Sequence, residues 1–341
     1  MTSIFSATSR KARNNVAFSF LAACLLLALG TGTSSAQTCL TAADMDAPTR
    51  SALESTAKRY FDMTVRGDSA SLQQNSIASL ASNFAGIEAA VKDNQSNLSG
   101  AQATPRSPFL LKVEGNEPLA RAEFLCGVFG PSGQTADSAE FVIPNLPPGS
   151  YGVVILDVSS AKAPYTLSFV LQQQGNDWKL GGMYLRQAEI SGHNSQWFAD
   201  RAREFKSKGQ LNNAWFYFLE ARDLVVPVPF MNILASDKLY DEMQALKRPE
   251  LTPSDLSAGG KTYKLTDISA TSVGKDLDLV VRYQAADISN TALTFQANVA
   301  VMKALVAKYP EFRTAFDGVV ARAVDPTGKD YGTLLPMKQV E

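Results

Sequence analysis

The sequence predicts an α+β protein, and three stretches carry that prediction. Tyr165 to Gln187, YTLSFVLQQQGNDWKLGGMYLRQ, places Tyr165, Leu167, Phe169 and Leu171 at every second position with Thr166, Ser168 and Gln172 between them. That is the period of a strand with one buried face. Thr49 to Val65 repeats at helical period instead, with Leu53, Ala57, Tyr60, Phe61 and Val65 on one stripe. Ser191 to Val226 returns to that period after a series of short strands. Helices, then antiparallel strands, then helices again imply helical layers packed on a curved sheet.

Taken in order, the chain opens with Arg10, Lys11 and Arg13, an apolar run from Val16 to Leu29, and a small polar stretch ending Ser34-Ser35-Ala36. A positive region, a short apolar region and a small-x-small end describe a secretory signal peptide over 1–36. The run is short for a membrane span, and an uncleaved N-terminal anchor is the competing reading. Cleavage after Ala36 leaves Gln37 first. A lipoprotein signal fails because Thr38, not Gly, Ala or Ser, precedes Cys39. The expectation is bacterial-type export to the periplasm or medium, with no membrane attachment once the leader is gone. Cys24 leaves with it, so Cys39 and Cys126 remain. In an oxidising compartment the two suggest one disulfide; the alternative is that Cys126, within an apolar run, is a buried thiol.

For the first helix, Ser51-Ala-Leu-Glu54 fits a capping box, Pro48 marks a rival start, and Gly67 ends it. Helical fragments carry Leu72, Ile77, Leu80, Phe84, Ile87 and Val91, and 94–108 reads as a loop. Strands are expected at 109–113, 121–129, 140–143 and 151–158, ahead of the long hairpin. There Gly175-Asn176-Asp177 reverses the chain, Trp178, Leu180 and Tyr184 share a face, and Gly181-Gly182 marks a bulge. This makes an α+β domain over 37–190.

A helical connector follows at 191–248. Phe198, Ala202 and Phe205 form one stripe, Gly209 breaks it, and Leu211, Ala214, Trp215, Phe218 and Ala221 form the next. Pro227 and Pro229 close this helix pair, and 232–246 offers a third helix. Residues 249–260, with Pro, Ser and Gly-Gly, read as a linker. The last unit, 261–341, reads ββαββ, its helix spanning 291–309 with Phe295, Val299, Met302, Val306 and Tyr309 inward and Pro310 at its end.

Three resemblances attach to these elements. Arg66-Gly67-Asp68 closing the first helix, the short helices after it, and a final hairpin of the form x-L-x-F-x-L-x-x-x-G-x-D-W-K-L resemble the NTF2-like, or cystatin-like cone, superfamily over about residues 42–187. The resemblance implies a conical cavity between sheet and helices, a shape used for enzymes, small-molecule binding and dimerisation alike. Asn145-Leu-Pro-Pro-Gly-Ser-Tyr151, within 141–158, resembles a turn of carboxypeptidase-regulatory-like β-sandwiches, which would make this middle stretch a separate sandwich. Gly209 and Ala221 give 191–226 the small-residue spacing of one tetratricopeptide unit, and a lone unit must bury its face on a neighbour.

Composition narrows the function. A net charge of −1, without basic clusters interleaved with aromatics, argues against nucleic-acid binding. His193 is the one histidine, so no multi-histidine metal site exists, and it reads as a surface turn residue. Ser55-Thr56-Ala57-Lys58 matches the S-x-x-K of penicillin-binding proteins. Its companions are wrong: Ser236-Asp237-Lys238 is not S-D-N, and Lys261-Thr262-Tyr263 is not K-T-G. Gly259-Gly260-Lys261-Thr262 lacks the first P-loop glycine, since Asp255 stands there. No cofactor and no metal is expected. If the cone is present, Tyr60, Phe61, Trp178 and Tyr184 line or plug it, and Asp62 is the nearest acid. The leading expectation is a non-catalytic exported envelope protein that acts in scaffolding, with a protein partner bound through the helical connector. Small-molecule binding in the cone is the alternative, and a hydrolase or isomerase the second.

Overall fold

The computed structural model describes residues 37–340 except 130–132, 161, 249 and 274–275, so the expected leader over 1–36 lies outside the described residues. Helix α1 (Ala47–Arg66) starts at the proline rather than at Ser51: Asp46 caps it by accepting from the Thr49 N–H at 2.8 Å. It stops at Gly67, whose φ of 73° allows the left-handed cap. Asp68 in turn caps α2 (Ser69–Gln74), accepting from the Ser71 N–H at 3.0 Å. Two further helices, α3 (Ala78–Ala81) and α4 (Ala85–Leu98), complete the first helical layer.

That layer covers a six-stranded sheet. Strands β1 (Gln37–Leu40), β3 (Phe109–Val113), β6 (Gly149–Ser159), β7 (Tyr165–Gln174) and β8 (Asp177–Gln187) lie in that order, and β2 (Gln102–Pro105) also pairs β6. The loop expected over 94–108 therefore contains a strand. QATP has no apolar alternation, and its ladder with Leu156–Ser159 is made by backbone alone, so no pattern announced it. Hairpin β7–β8 is antiparallel, turning through Gly175-Asn176. Leu53, Ala57, Tyr60 and Phe61 of α1 share one core with Val154, Leu156, Leu167, Phe169 and Leu171.

The opposite face of this sheet is covered too. Strands β4 (Leu119–Cys126), β5 (Ala139–Leu146) and β9 (Met231–Ile233) form a three-stranded sheet. Phe124, Phe141 and Met231 pack there against Phe109, Leu111, Val113, Tyr151, Val153 and Ile155. Alternate residues of β6 thus enter different cores, which is why Tyr151 to Leu156 is buried without a break. The two readings of 141–158 resolve at the turn between them: Phe141–Leu146 belongs to the small sheet and Gly149–Val158 to the centre of the large one. Asn145, at φ 51°, enters that turn, and the Tyr151 hydroxyl donates to the Pro147 carbonyl at 2.8 Å. Cys39 of β1 is joined to Cys126 of β4, with 5.2 Å between Cα atoms, so the bridge ties one sheet to the other and Cys126 is not a free thiol.

Helices α5 (Ser195–Ser207) and α6 (Leu211–Val225) turn at Gly209, and α7 (Leu234–Gln244) follows β9. The connector was expected to be purely helical, but three-residue β9 stitches it to β5, too short a strand to leave a periodic signal. Strands β10 (Ser254–Ala258), β11 (Lys261–Val273), β12 (Asp276–Gln284), β13 (Gly318–Val324) and β14 (Asp330–Pro336) form the third sheet in chain order. The segment read as a linker is therefore an edge strand and a tight hairpin. Gly259 and Gly260 sit at φ 56° and 77°, as a two-residue turn between right-twisted strands requires, and Leu256 and Ala258 point into the core. Helix α8 (Thr291–Lys308) carries the chain from β12 to its parallel neighbour β13. Its inward face is Thr294, Asn298, Val301, Met302, Leu305 and Val306, whereas Phe295 is exposed. Met302 and Val306 of the expected stripe do face inward, and polar residues take inward positions beside them: Asn298 accepts from the Tyr283 hydroxyl at 2.7 Å and donates to Thr333 Oγ1 at 2.9 Å.

The helix pair does bury its face on a neighbour: it shares a core with the C-terminal unit and meets it at the segment between α8 and β13. Phe216 and Tyr217 meet Phe312 and Phe316, the Tyr217 hydroxyl donates to the Ala315 carbonyl, and Asn213 Nδ2 donates to the Glu311 carbonyl at 2.8 Å.

One contact fixes how α1 sits on the large sheet. Gly152 lies under Leu53, and a Cβ there would come within 2.2 Å of Leu53 Cδ2. Leu53 is fully buried, so it has little room to yield. Gly152→Ala is expected to cost about 1–3 kcal/mol by overpacking, read as a lower urea midpoint with an unchanged slope.

Candidate functional site

Of the five expected cavity residues, Tyr60, Phe61 and Trp178 enter one core, and they pack between α1 and the sheet. Tyr60 is fully buried, its ring centroid 5.9 Å from that of Phe169. Its hydroxyl donates to the Trp178 carbonyl at 3.0 Å and lies 3.1 Å from that of Asn75. A core phenol needs such partners, and here they lock α1 to β8 and to the end of α2. Burial pushes the Tyr60 phenol above its ordinary pKa. Trp178 is 6% exposed.

Tyr184 is elsewhere. Val170 pairs Gly182 while Leu171 pairs Leu180, so Gly181 is the extra residue of the expected bulge. One extra residue reverses the parity of everything after it. Trp178, Leu180, Met183 and Leu185 therefore face the helices. Tyr184 faces the small sheet, its ring 5.7 Å from Phe230. The shared face expected for Trp178 and Tyr184 is corrected by the very bulge that the glycines signalled.

Asp62 lies outside the core, in a groove of about 420 Å³ between α1 and β2. Ser51, Glu54, Ser55, Lys58 and Asp62 recur at three- and four-residue spacing, which places them along one outward stripe of α1. Beneath them Phe61, Ala101 and Leu156 are buried and form an apolar floor, with Ala103 and Pro105 of β2 as the far wall. Both residues of the S-x-x-K match border this groove. The Ser55 hydroxyl, however, donates to the Ala52 carbonyl of its own helix at 3.2 Å, and Lys58 is exposed. No hydrogen bond joins Ser55 to Lys58, and such a bond is what activation of that nucleophile requires. Ser236 is spent on the backbone of Ile233 at the start of α7.

Sequence reasoning found Asp62 but not the groove, because the far wall is the unpatterned strand β2. The signal available was Ala101-Gln-Ala103, small residues at alternate positions before Pro105. His193 stacks flat on Trp197, with centroids 3.7 Å apart and 6° between planes. Among the described residues no group of three or more His, Cys, Asp or Glu side chains could hold a metal ion. In comparisons with known proteins, no family model, no curated protein and no solved structure matches the chain.

Proposed function

We propose that this is an exported, non-catalytic binding protein of the bacterial envelope, holding a small amphipathic molecule in the groove between α1 and β2. The observation that carries the reading is the groove's build: a buried apolar floor of Phe61 and Leu156 under one wall bearing Lys58, Asp62 and Ser55. Concave apolar surface with few convergent polar groups is what small-molecule sites require. Export is supported by the leader pattern and by the disulfide, which persists in oxidising compartments. No described helix is long and apolar enough to cross a membrane. The NTF2-like resemblance remains part of this proposal, supported by α1 lying against the long hairpin; the ligand is then moved from inside the cone to its outer rim. Scaffolding through the connector has less support, since the apolar stripe of α5 and α6 is used within the chain's own core.

The test uses N-phenyl-1-naphthylamine, an uncharged fluorophore that brightens in apolar surroundings. The wild-type protein is expected to enhance its emission saturably. Ser55→Trp, at an exposed helix position, fills the groove and should weaken that binding at least about tenfold, equivalent to about 1.4 kcal/mol. Tyr184→Phe, on the far face of the sheet, should leave it unchanged. Equal binding by wild type and Ser55→Trp contradicts the proposal.

A further inference from the structure

A second concave region opens where β8, α6 and β11 meet. Two adjoining cavities of about 500 and 440 Å³ share Arg186 of β8, Glu220 and Asp223 of α6, and Ala270 of β11. The Arg186 guanidinium is paired with the Asp223 carboxylate, so those two charges cancel. Glu220, one turn earlier, is half-buried and makes no hydrogen bond or ion pair among the described residues. Thr271 and Ser272 of β11 and Gln187 of β8 add uncharged polar groups to the larger cavity. Arg222 borders only the smaller one, where Asn232 Oδ1 accepts from its guanidinium at 3.2 Å.

Two carboxylates and one guanidinium leave the larger cavity one net negative charge whenever Glu220 is ionised. An anion would meet that charge, and a metal ion would find no three-ligand set among the described residues. An ammonium group fits: it offers three donors, and Glu220 is a carboxylate with unused acceptor capacity beside neutral oxygens. We infer that this cleft binds small organic cations, with a primary ammonium seated on Glu220 and the rest of the molecule against Gln187, Thr271 and Ser272. The site is separate from the groove between α1 and β2, and nothing in the sequence marked it, because Glu220 sits inside an ordinary amphipathic helix.

The inference has a pH signature. Burial first, and the neighbouring Asp223 second, push the Glu220 carboxyl up to about 7, while Arg186 pulls it down. The groups facing it are Arg186 from β8 and Asp223 from its own helix, whereas Ala270 to Ser272 of β11 carry no charge. A cation binds the ionised form, so affinity should rise with pH until Glu220 is fully deprotonated. With half-ionisation at about pH 7, roughly a tenth of the sites are ready at pH 6 and roughly nine-tenths at pH 8.

Titration calorimetry of the full protein with 1,4-diaminobutane, charged at both pH values, reads this directly. The expected result is binding about tenfold tighter at pH 8 than at pH 6. Glu220→Gln should remove the difference and leave the affinity at pH 8 no better than the wild type's at pH 6. Asp223→Asn, which releases Arg186 toward Glu220, should weaken binding as well, giving a second reading if the glutamine variant folds poorly. Ser55→Trp should have no effect, which separates this result from that for the groove. Undetectable binding, affinity indifferent to pH, or wild-type affinity in Glu220→Gln overturns the inference.

Discussion

Removing the Cys39–Cys126 bridge is expected to lower stability by about 4 kcal/mol, the largest effect of any pair of side chains discussed above. The bridge closes a loop across 87 positions, and in the chain-entropy account a loop of that length greatly restricts the unfolded ensemble. Its placement adds to this. β1 is a four-residue strand held by its ladder with β3, and Cys126 ends β4 in the other sheet, so the bond also holds two sheets together across their shared core. Reduction of the wild type and the double substitution Cys39→Ala, Cys126→Ala should both shift the urea midpoint downward. The substituted protein should lose slightly more, because Cys126 is fully buried and its sulfur fills core space. A midpoint insensitive to reductant in the wild type would count against the cross-sheet bridge.

The second large effect runs the other way. Asp278 of β12 is 3% exposed, paired across the sheet with Thr271 on one side and Gly318 on the other. No side-chain hydrogen bond reaches it among the described residues, and a Cβ on Gly318 would lie 2.6 Å from its Oδ1. Burial first, then Asp276 and Asp317, push this carboxyl up to about 6. A carboxyl raised in the folded state holds its proton more tightly there than in the unfolded chain. The resulting penalty is absent below the unfolded value near pH 4, grows as pH rises, and is complete above about pH 6. A shift of about two units corresponds to roughly 3 kcal/mol. Asp278→Asn should therefore stabilise the protein by about 2–3 kcal/mol at pH 7.5 and by little at pH 4. Unfolding curves at the two pH values check this, and a gain that does not change with pH would refute the buried-charge explanation.

What could be read from the sequence was whatever repeats. The alternation in Tyr165–Leu171 and the stripe of Leu53, Ala57, Tyr60 and Phe61 gave the hairpin and the helix that lies on it, because burial of one face leaves a period. Single-residue events were half legible. Gly181 announced a bulge, yet which side chains it would send to which face depends on where the register resumes, and that is a property of the partner strand. β2 and β9, four and three residues long, are too short to leave an apolar period. Gly259-Gly260 was ambiguous in a physical sense, since the same freedom at positive φ serves a flexible linker and a two-residue hairpin; Leu256 and Ala258, alternating just before it, were the clue. In α8 the polar residues Thr294 and Asn298 take inward positions because each finds partners there, Thr294 Oγ1 donating to the Asn290 carbonyl and Asn298 bonding Tyr283, Tyr331 and Thr333, which a hydrophobic count cannot see. The groove was illegible for the same reason as β2, and Glu220 because its environment comes from β8 and β11, distant in sequence.

Helix α1 is seated on the middle of the large sheet, with Tyr60 and Trp178 buried between them, and the proposed ligand site lies outside that core. A double-mutant cycle on Leu53 and Gly152 measures that seating. Leu53→Ala alone should cost about 3 kcal/mol and Gly152→Ala about 2 kcal/mol. Shortening the leucine makes room for the new methyl, so the double variant should lose at least about 1 kcal/mol less than the sum of the two. Costs that add to within about 0.5 kcal/mol would mean the two residues do not touch, and the filled interior would go with them.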